Sequence, residues 1–213
     1  MFEALKNELA RTSVRWRAGG PAMVSGAVGK RRLTLACVPP AGDPGGKRLR
    51  SLLEQVRPEY VLVTGTGGSL DPRVPPGAVV LGERIGRTGL LRNAWLLADR
   101  PLLLEGRRVG ARLRDSLDED LSAMTFTGAL LAQPRPGMSQ PAFSAATYRL
   151  VASDSEVAAL AETCGGAAFP FLPIVGISHR SDAGGAAGGA PRFAAVAADR
   201  AARFTALLLQ QLR

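Results

Sequence analysis

The sequence predicts an α/β fold in which a largely parallel or mixed sheet is layered with helices. The first observation is that strand-like apolar runs alternate with segments of helical spacing along all 213 residues. The second is that residues 60–64 and 170–178 are apolar almost throughout, which is typical of strands buried on both faces. No repeat or linker interrupts the alternation, so we expect residues 1–213 to form a single domain.

Apolar spacing and turn residues place the elements of the first half of the chain. In chain order, we expect a helix at 2–9, a strand at 33–38, a helix at 49–56, strands at 60–64 and 77–85, and a turn at 65–69 between these two strands. The helix at 49–56 has apolar residues at i, i+3, i+4 and i+7, and Pro58 ends it. The turn is expected because glycine dominates that segment.

The second half of the chain continues the alternation. In chain order, we expect a helix at 107–117, strands at 122–131 and 148–152, a helix at 155–164, a strand at 170–178 and a helix at 204–212. The last helix is amphipathic, with Phe204, Leu208 and Leu212 on one face. Residues 183–190 contain only Gly and Ala, so they predict a loop.

Composition and charge exclude several classes of protein. With 46% hydrophobic and 21% charged residues, the chain is neither disordered nor a fibre. The net charge is +9, but the basic residues are scattered and aromatic content is 5%, so we interpret the charge as solvated surface and expect no nucleic-acid partner. No apolar run reaches about 18 residues and no leader is visible, so we expect no membrane partner. Two isolated cysteines fit a cytoplasmic location.

The glycine-rich segment 65–70 does not complete a dinucleotide-binding motif. Leu70 stands where the third glycine of GxGxxG should be, and the prolines that follow argue against a helix there. Two interpretations remain. The segment is either a tight turn between strands or a backbone cradle whose N–H groups approach a ligand at the carboxyl end of a strand.

Three segments together carry a resemblance to a known family. Residues 60–80 follow the pattern of an apolar strand, TGxAGGL, a short loop and xGDVVV. Residues 151–161 follow VDMExAAxA, and residues 170–182 follow PFLVVRxISDxAD. In this order and spacing, the segments resemble the nucleoside phosphorylase/nucleosidase superfamily, which includes purine nucleoside phosphorylases and methylthioadenosine/S-adenosylhomocysteine nucleosidase.

The resemblance implies a three-layer αβα sandwich with a mixed, partly curled central sheet, as in phosphorylase/hydrolase-like proteins. Met1 falls where the first strand of that fold should already have ended. Either this chain lacks the first strand or its start site was set late. The resemblance also implies a homo-oligomer, and it calls for no cofactor and no metal.

Glu156 has a local interpretation and an implied one. Locally, Ser153 and Glu156 have the spacing of a capping box at a helix start. The resemblance implies that Glu156 binds the ribose hydroxyls, where a carboxylate stabilises the positive charge that develops on the sugar. Ser155, in the same substrate-binding set, replaces the methionine that the family packs against the sugar. Thr66, Gly67 and Gly68 would cradle the substrate or the nucleophile.

His179 is the only histidine of the chain, and it ends an apolar strand. At its position the family normally has an aspartate that shares a proton with the leaving purine. Imidazole titrates near neutral pH and can supply that proton. Asp182 matches the second aspartate of the family motif and could orient His179, although capping of loop backbone would also explain it. The resemblance thus names His179 and Asp182 as the catalytic pair.

These residues imply cleavage of the N-glycosidic bond of a purine-type nucleoside, by hydrolysis or phosphorolysis. Hydrolysis is preferred because Val63 stands where phosphorylases carry an arginine, which leaves Lys47, Arg48 or Arg73 to hold phosphate. Glu3 is the nearest candidate to activate water. A variant substrate is an adenosylated lipid precursor, as in hopanoid-associated relatives. The alternative is a catalytically degenerate nucleoside-binding or structural homologue, which the missing first strand, Ser155 and His179 all favour.

Overall fold

The computed structural model describes residues 11–15, 23–28, 31–37, 43–87, 95–115, 124–132, 149–154, 156–180 and 193–212. The expected helix at 2–9 and the expected loop at 183–190 lie outside the described residues. So do three of the candidate functional residues, Glu3, Ser155 and Asp182.

The described strands form two sheets. The small sheet is antiparallel and contains β1 (Arg11–Arg15), β2 (Met23–Val28) and β3 (Arg31–Ala36). The large sheet contains β4 (Val61–Ser69), β5 (Val79–Arg87), β6 (Trp95–Leu97), β7 (Thr125–Ala132), β8 (Leu150–Ser153) and β9 (Phe171–Arg180). Its strand order is β6-β5-β7-β8-β4-β9, and β5 also pairs with β9, so the sheet curls back on itself.

The large sheet is mixed, as predicted. Parallel pairs join β4 to β9, β5 to β7 and β7 to β8. Antiparallel pairs join β4 to β8, β5 to β6 and β5 to β9. The parallel pairing of β4 and β9 matters for function, because it brings the carboxyl ends of these two strands to the same end of the sheet.

Four described helices pack on the two faces of this sheet: α1 (Asp43–Val56), α2 (Arg100–Asp115), α3 (Glu156–Gly166) and α4 (Ala194–Gln211). One core cluster joins α1 and α3 to the sheet, and another joins α2 and α4 to it. Strand β9 serves both clusters, because Val175 and Ile177 face the first while Leu172 and Ile174 face the second. This arrangement confirms the predicted α/β fold with helical layers. None of the described helices is long and apolar enough to cross a bilayer.

One helix and three strands differ from the sequence-based expectations in instructive ways. Helix α2 begins at Arg100 rather than near residue 107, because Asp99 Oδ1 accepts a hydrogen bond from Leu102 N at 3.0 Å and Pro101 fits the first helical turn. Strands β1, β2 and β6 were not expected. The first is polar in sequence and the last is only 3 residues long, so neither has a readable apolar pattern.

Candidate active site

The glycine segment (Gly65–Ser69) is the second half of strand β4, so the prediction of a tight turn there was wrong. Its glycines are not needed for a left-handed backbone, since Gly77 is the described glycine with positive φ. They are needed for close approach. A Cβ on Gly65 would lie 2.6 Å from Val157 Cγ2, and one on Gly67 would lie 2.5 Å from the Ser153 carbonyl oxygen. Without side chains at these positions, the start of α3 can lie directly against β4.

Gly68 of β4 lies between β8 and β9, the two strands that lead to the candidate residues Glu156 and His179. In register it pairs with His179 of β9 on one side and with Ser153 of β8 on the other. Neighbouring strands are about 4.8 Å apart, so these three backbone positions form one short line across the sheet. Helix α3 starts with Glu156, shortly after Ser153. The fold therefore gathers the glycine segment, His179 and the start of α3 at one end of β4.

The end of β9 contains an irregularity that changes where its side chains point. Gly67 pairs with Ile177 and Gly68 pairs with His179, so Ser178 is an extra residue in the ladder. The Ser178 hydroxyl donates a hydrogen bond to the Gly67 carbonyl oxygen at 3.1 Å, and its oxygen lies 2.9 Å from His179 Nδ1. Both side chains are half-buried. The imidazole is thus tied to β4 through a serine.

The start of α3 is capped by Asp154 and not by the capping box that the sequence predicts. Asp154 Oδ1 accepts hydrogen bonds from Glu156 N at 2.6 Å and from Val157 N at 2.8 Å. The Ser153 hydroxyl lies instead 3.5 Å from the Gly68 carbonyl oxygen. The Glu156 side chain is exposed.

Asp154 is a buried carboxyl group, with 7% of its surface exposed. Desolvation raises its pKa from 3.8 to about 6, against the opposing effect of the two backbone amides that it accepts from. The neighbouring charge of Glu156 adds to the increase. The Asp154 carboxyl group, which is costly to ionise, therefore caps the helical turn on which Glu156 lies.

The loop after β4 is closed by its own ion pair. Asp71 Oδ2 lies 2.6 Å from Arg73 Nη2, and the Arg73 guanidinium holds the pKa of Asp71 below its usual value. Arg180 Nη2 donates to the Pro72 carbonyl oxygen at 3.2 Å and so ties this loop to the end of β9. Arg73 already has an anionic partner and would have to leave it to hold phosphate.

Some of the predicted site residues lie close together in the structure, and others are not among the residues that it describes. Gly67, Gly68 and His179 are adjacent, Glu156 begins the helix beside them, and the exposed Thr66 precedes them on β4. Ser155 and Asp182 lie outside the described residues.

Sequence reasoning missed two residues of this region, Ser178 as a hydrogen-bond partner and Asp154 as the helix cap. Each carries a readable signal. A serine follows the apolar run of β9 directly before the histidine, and an aspartate stands two residues before the first residue of α3.

Comparison with known proteins gives a consistent picture of the fold. A family model described as the phosphorylase superfamily matches residues 2–213. The structure is similar to the 5′-methylthioadenosine/S-adenosylhomocysteine nucleosidase of Neisseria meningitidis in complex with methylthio-immucillin-A, with a TM-score of 0.75, 18% identity and coverage of 99% of this chain and 94% of that chain.

Two further solved structures give similar values. The S-adenosylhomocysteine nucleosidase of Streptococcus pyogenes, in complex with 5-methylthiotubericidin, has a TM-score of 0.77 at 15% identity, covering 100% of this chain and 92% of that chain. A futalosine hydrolase mutant of Helicobacter pylori has a TM-score of 0.77 at 14% identity, covering 98% and 93%. No curated protein matches the sequence significantly. At these identities, the structural likeness establishes the fold.

Proposed function

Because this chain belongs to the phosphorylase superfamily, we propose that it cleaves the N-glycosidic bond of a purine-type nucleoside and that water captures the sugar. The observation that carries the proposal is the position of Gly68, which pairs with His179 on one side and with Ser153, shortly before Glu156, on the other. In this proposal His179 supplies the acid for the base and Glu156 the carboxylate for the sugar, and the register of β8 and β9 supports it by bringing both near the same end of β4.

His179 acts as the general acid in this proposal. When the C1′–N bond breaks, its electron pair moves to the departing base, which is a poor leaving group as an anion. A proton from the imidazolium of His179 to a ring nitrogen of the base removes that cost, and such transfers contribute about 10²- to 10⁴-fold to a rate. The half-buried position of His179 at the end of β9 supports this role, because the group is held by the sheet yet remains reachable.

Glu156 acts on the sugar. As the bond to the base breaks, positive charge develops at C1′ and on the ring oxygen, and a nearby carboxylate stabilises it. Glu156 suits this role because its side chain is exposed at the first turn of α3, while Asp154 satisfies the backbone amides there. Water then adds to C1′ and loses a proton, giving the free sugar and the free base.

Hydrolysis is favoured over phosphorolysis because neither β4 nor the loop after it offers an unpaired arginine to hold phosphate. Strand β4 carries no arginine, and Arg73 in the following loop is paired with Asp71. The similar structures described above are those of nucleosidases and a hydrolase, which supports the same choice. Their substrates, 5′-methylthioadenosine, S-adenosylhomocysteine and futalosine, are the first to test.

The test is release of free base by the purified full chain. We expect base from at least one of methylthioadenosine, S-adenosylhomocysteine, futalosine, adenosine and inosine, measured by chromatography in phosphate-free buffer, with heat-denatured protein as the control. Strict dependence on phosphate would replace the hydrolase by a phosphorylase. No release of base, together with a rise in melting temperature on adding the nucleosides, would identify a catalytically degenerate nucleoside-binding homologue and contradict the proposal.

A further inference from the structure

The hydrogen bonds at the end of β9 select one nitrogen of the His179 ring for chemistry. We propose that Ser178 is a positioning residue that holds the hydrogen of neutral His179 on Nδ1, so that Nε2 is the nitrogen that exchanges a proton with the substrate. This inference rests on the proposed function, because it names the atom through which that function would act.

The assignment follows from counting hydrogens. The Gly67 carbonyl oxygen has no hydrogen, so the hydrogen in its 3.1 Å contact with Ser178 Oγ must belong to the serine. A hydroxyl has only one hydrogen to donate. The 2.9 Å contact between Ser178 Oγ and His179 Nδ1 must then use a hydrogen on the ring nitrogen, with the serine oxygen as acceptor. His179 Nδ1–H then donates to Ser178 Oγ, and the Ser178 hydroxyl donates to the Gly67 carbonyl oxygen, so each of the three groups has a hydrogen-bond partner.

The irregularity in β9 makes this series possible. Consecutive residues of a regular strand point to opposite faces of the sheet, which would keep Ser178 and His179 apart. The extra residue between the pairs Gly67–Ile177 and Gly68–His179 breaks that alternation. Bulges of this kind redirect side chains beside active sites. The neighbouring Arg180 does not compete for Nδ1, because its Nη2 donates to the Pro72 carbonyl oxygen.

This arrangement suits an acid that must give up a proton without rearranging. In the imidazolium form, both ring nitrogens carry hydrogen, and Ser178 accepts from Nδ1–H. When Nε2 gives its proton to the base, the neutral ring that remains carries hydrogen on Nδ1, which is the form that Ser178 already binds. No bond to the protein has to change during the transfer, and preorganisation of this kind lowers the barrier. The wrong tautomer of a catalytic imidazole is correspondingly costly.

Nitrogen-15 NMR of the labelled full chain tests the assignment directly, because His179 is the only histidine and its ring signals need no assignment. For the neutral ring, we expect the wild-type spectrum to show hydrogen on Nδ1. We expect Ser178→Ala to lose this preference and Ser178→Thr, which keeps the hydroxyl, to retain it. A wild-type ring with hydrogen on Nε2 would overturn the proposal, and this spectrum requires neither a variant nor a substrate.

A control and a kinetic measurement complete the experiment. Ser69→Ala removes a different serine hydroxyl, which is buried at the end of β4 and donates to the Asp71 carbonyl oxygen, and it should leave the tautomer unchanged. For the substrate that releases base, Ser178→Ala should lower kcat by about 10- to 100-fold with little change in KM, and Ser178→Thr should restore most of it. An unchanged kcat in Ser178→Ala contradicts the positioning role. Failure of all substrates would refute the proposed function, while the spectrum would still decide the tautomer.

Discussion

The two strands that flank Gly68 present their polar groups in opposite settings. At the end of β9, Ser178 and His179 are half-buried, and their hydrogen bonds run from the ring through the serine to β4. At the end of β8, Ser153 and Asp154 are almost fully buried, and the Asp154 carboxyl group is occupied by the amides at the start of α3. The β9 side leaves the titratable ring of His179 partly exposed, and the β8 side encloses the titratable carboxyl group of Asp154.

This difference supports the proposal that the two sides of β4 have different roles. A group that exchanges protons with a substrate has to be reachable, which matches the end of β9. A group that holds a helix in place is more effective when water cannot compete for its hydrogen bonds, which matches the end of β8. Substitutions on the β9 side should therefore change turnover more than stability, and those on the β8 side should change stability more than turnover.

His179→Ala should have the largest effect, on turnover. Loss of the general acid should lower kcat by about 10²- to 10⁴-fold, while the free energy of unfolding should change by less than about 1 kcal/mol. Heat-stabilisation by the nucleoside should persist, as measured by the melting temperature. His179→Asp, which carries the acid that the family normally has there, should retain more turnover than His179→Ala. Wild-type turnover in the alanine variant would remove His179 from the mechanism.

Asp154→Asn should have the next largest effect, on stability and with a clear pH dependence. The pKa of Asp154 is raised from 3.8 to about 6 in the folded chain, so the folded protein binds the proton more tightly than the unfolded chain. The ionised group therefore destabilises the fold by roughly 3 kcal/mol above about pH 6, and this cost disappears as the pH falls towards 4. Asparagine keeps the cap but has no charge to bury.

Urea unfolding at pH 4 and pH 8 measures this effect. The stability of Asp154→Asn relative to the wild type should be higher at pH 8 than at pH 4 by about that amount. Asp154→Ala serves as the control, because it removes both the charge and the cap. Its amides have no polar partner, so it should be less stable than Asp154→Asn by about 1 kcal/mol. An equal difference between wild type and Asp154→Asn at both pH values would show that burial does not control this carboxyl group.

Sequence patterns located most elements of the large sheet because its strands are buried on both faces and read as apolar runs. The same patterns misread the glycine segment as a turn. The reason is that a glycine needed for close approach and a glycine needed for a turn look alike in sequence. Only the packing of Val157 and Ser153 against β4 distinguishes them. The irregularity at Ser178 was also beyond prediction, since it depends on the pairing of β9 with a distant strand.

Gly67→Ala and Gly46→Ala test that distinction, with the smallest effects. On β4, a Cβ at Gly67 would lie 2.5 Å from the Ser153 carbonyl oxygen, which is backbone and cannot rotate away. We expect a loss of about 1–3 kcal/mol in the free energy of unfolding. In helix α1, a Cβ at Gly46 would meet its nearest neighbour, Thr163 Oγ1, at 3.5 Å. The same added methyl group should stabilise the helix there by about 0.5–1 kcal/mol. A Gly67→Ala variant that is as stable as the wild type, or more stable, would mean that close packing against β8 is not what requires glycine at position 67.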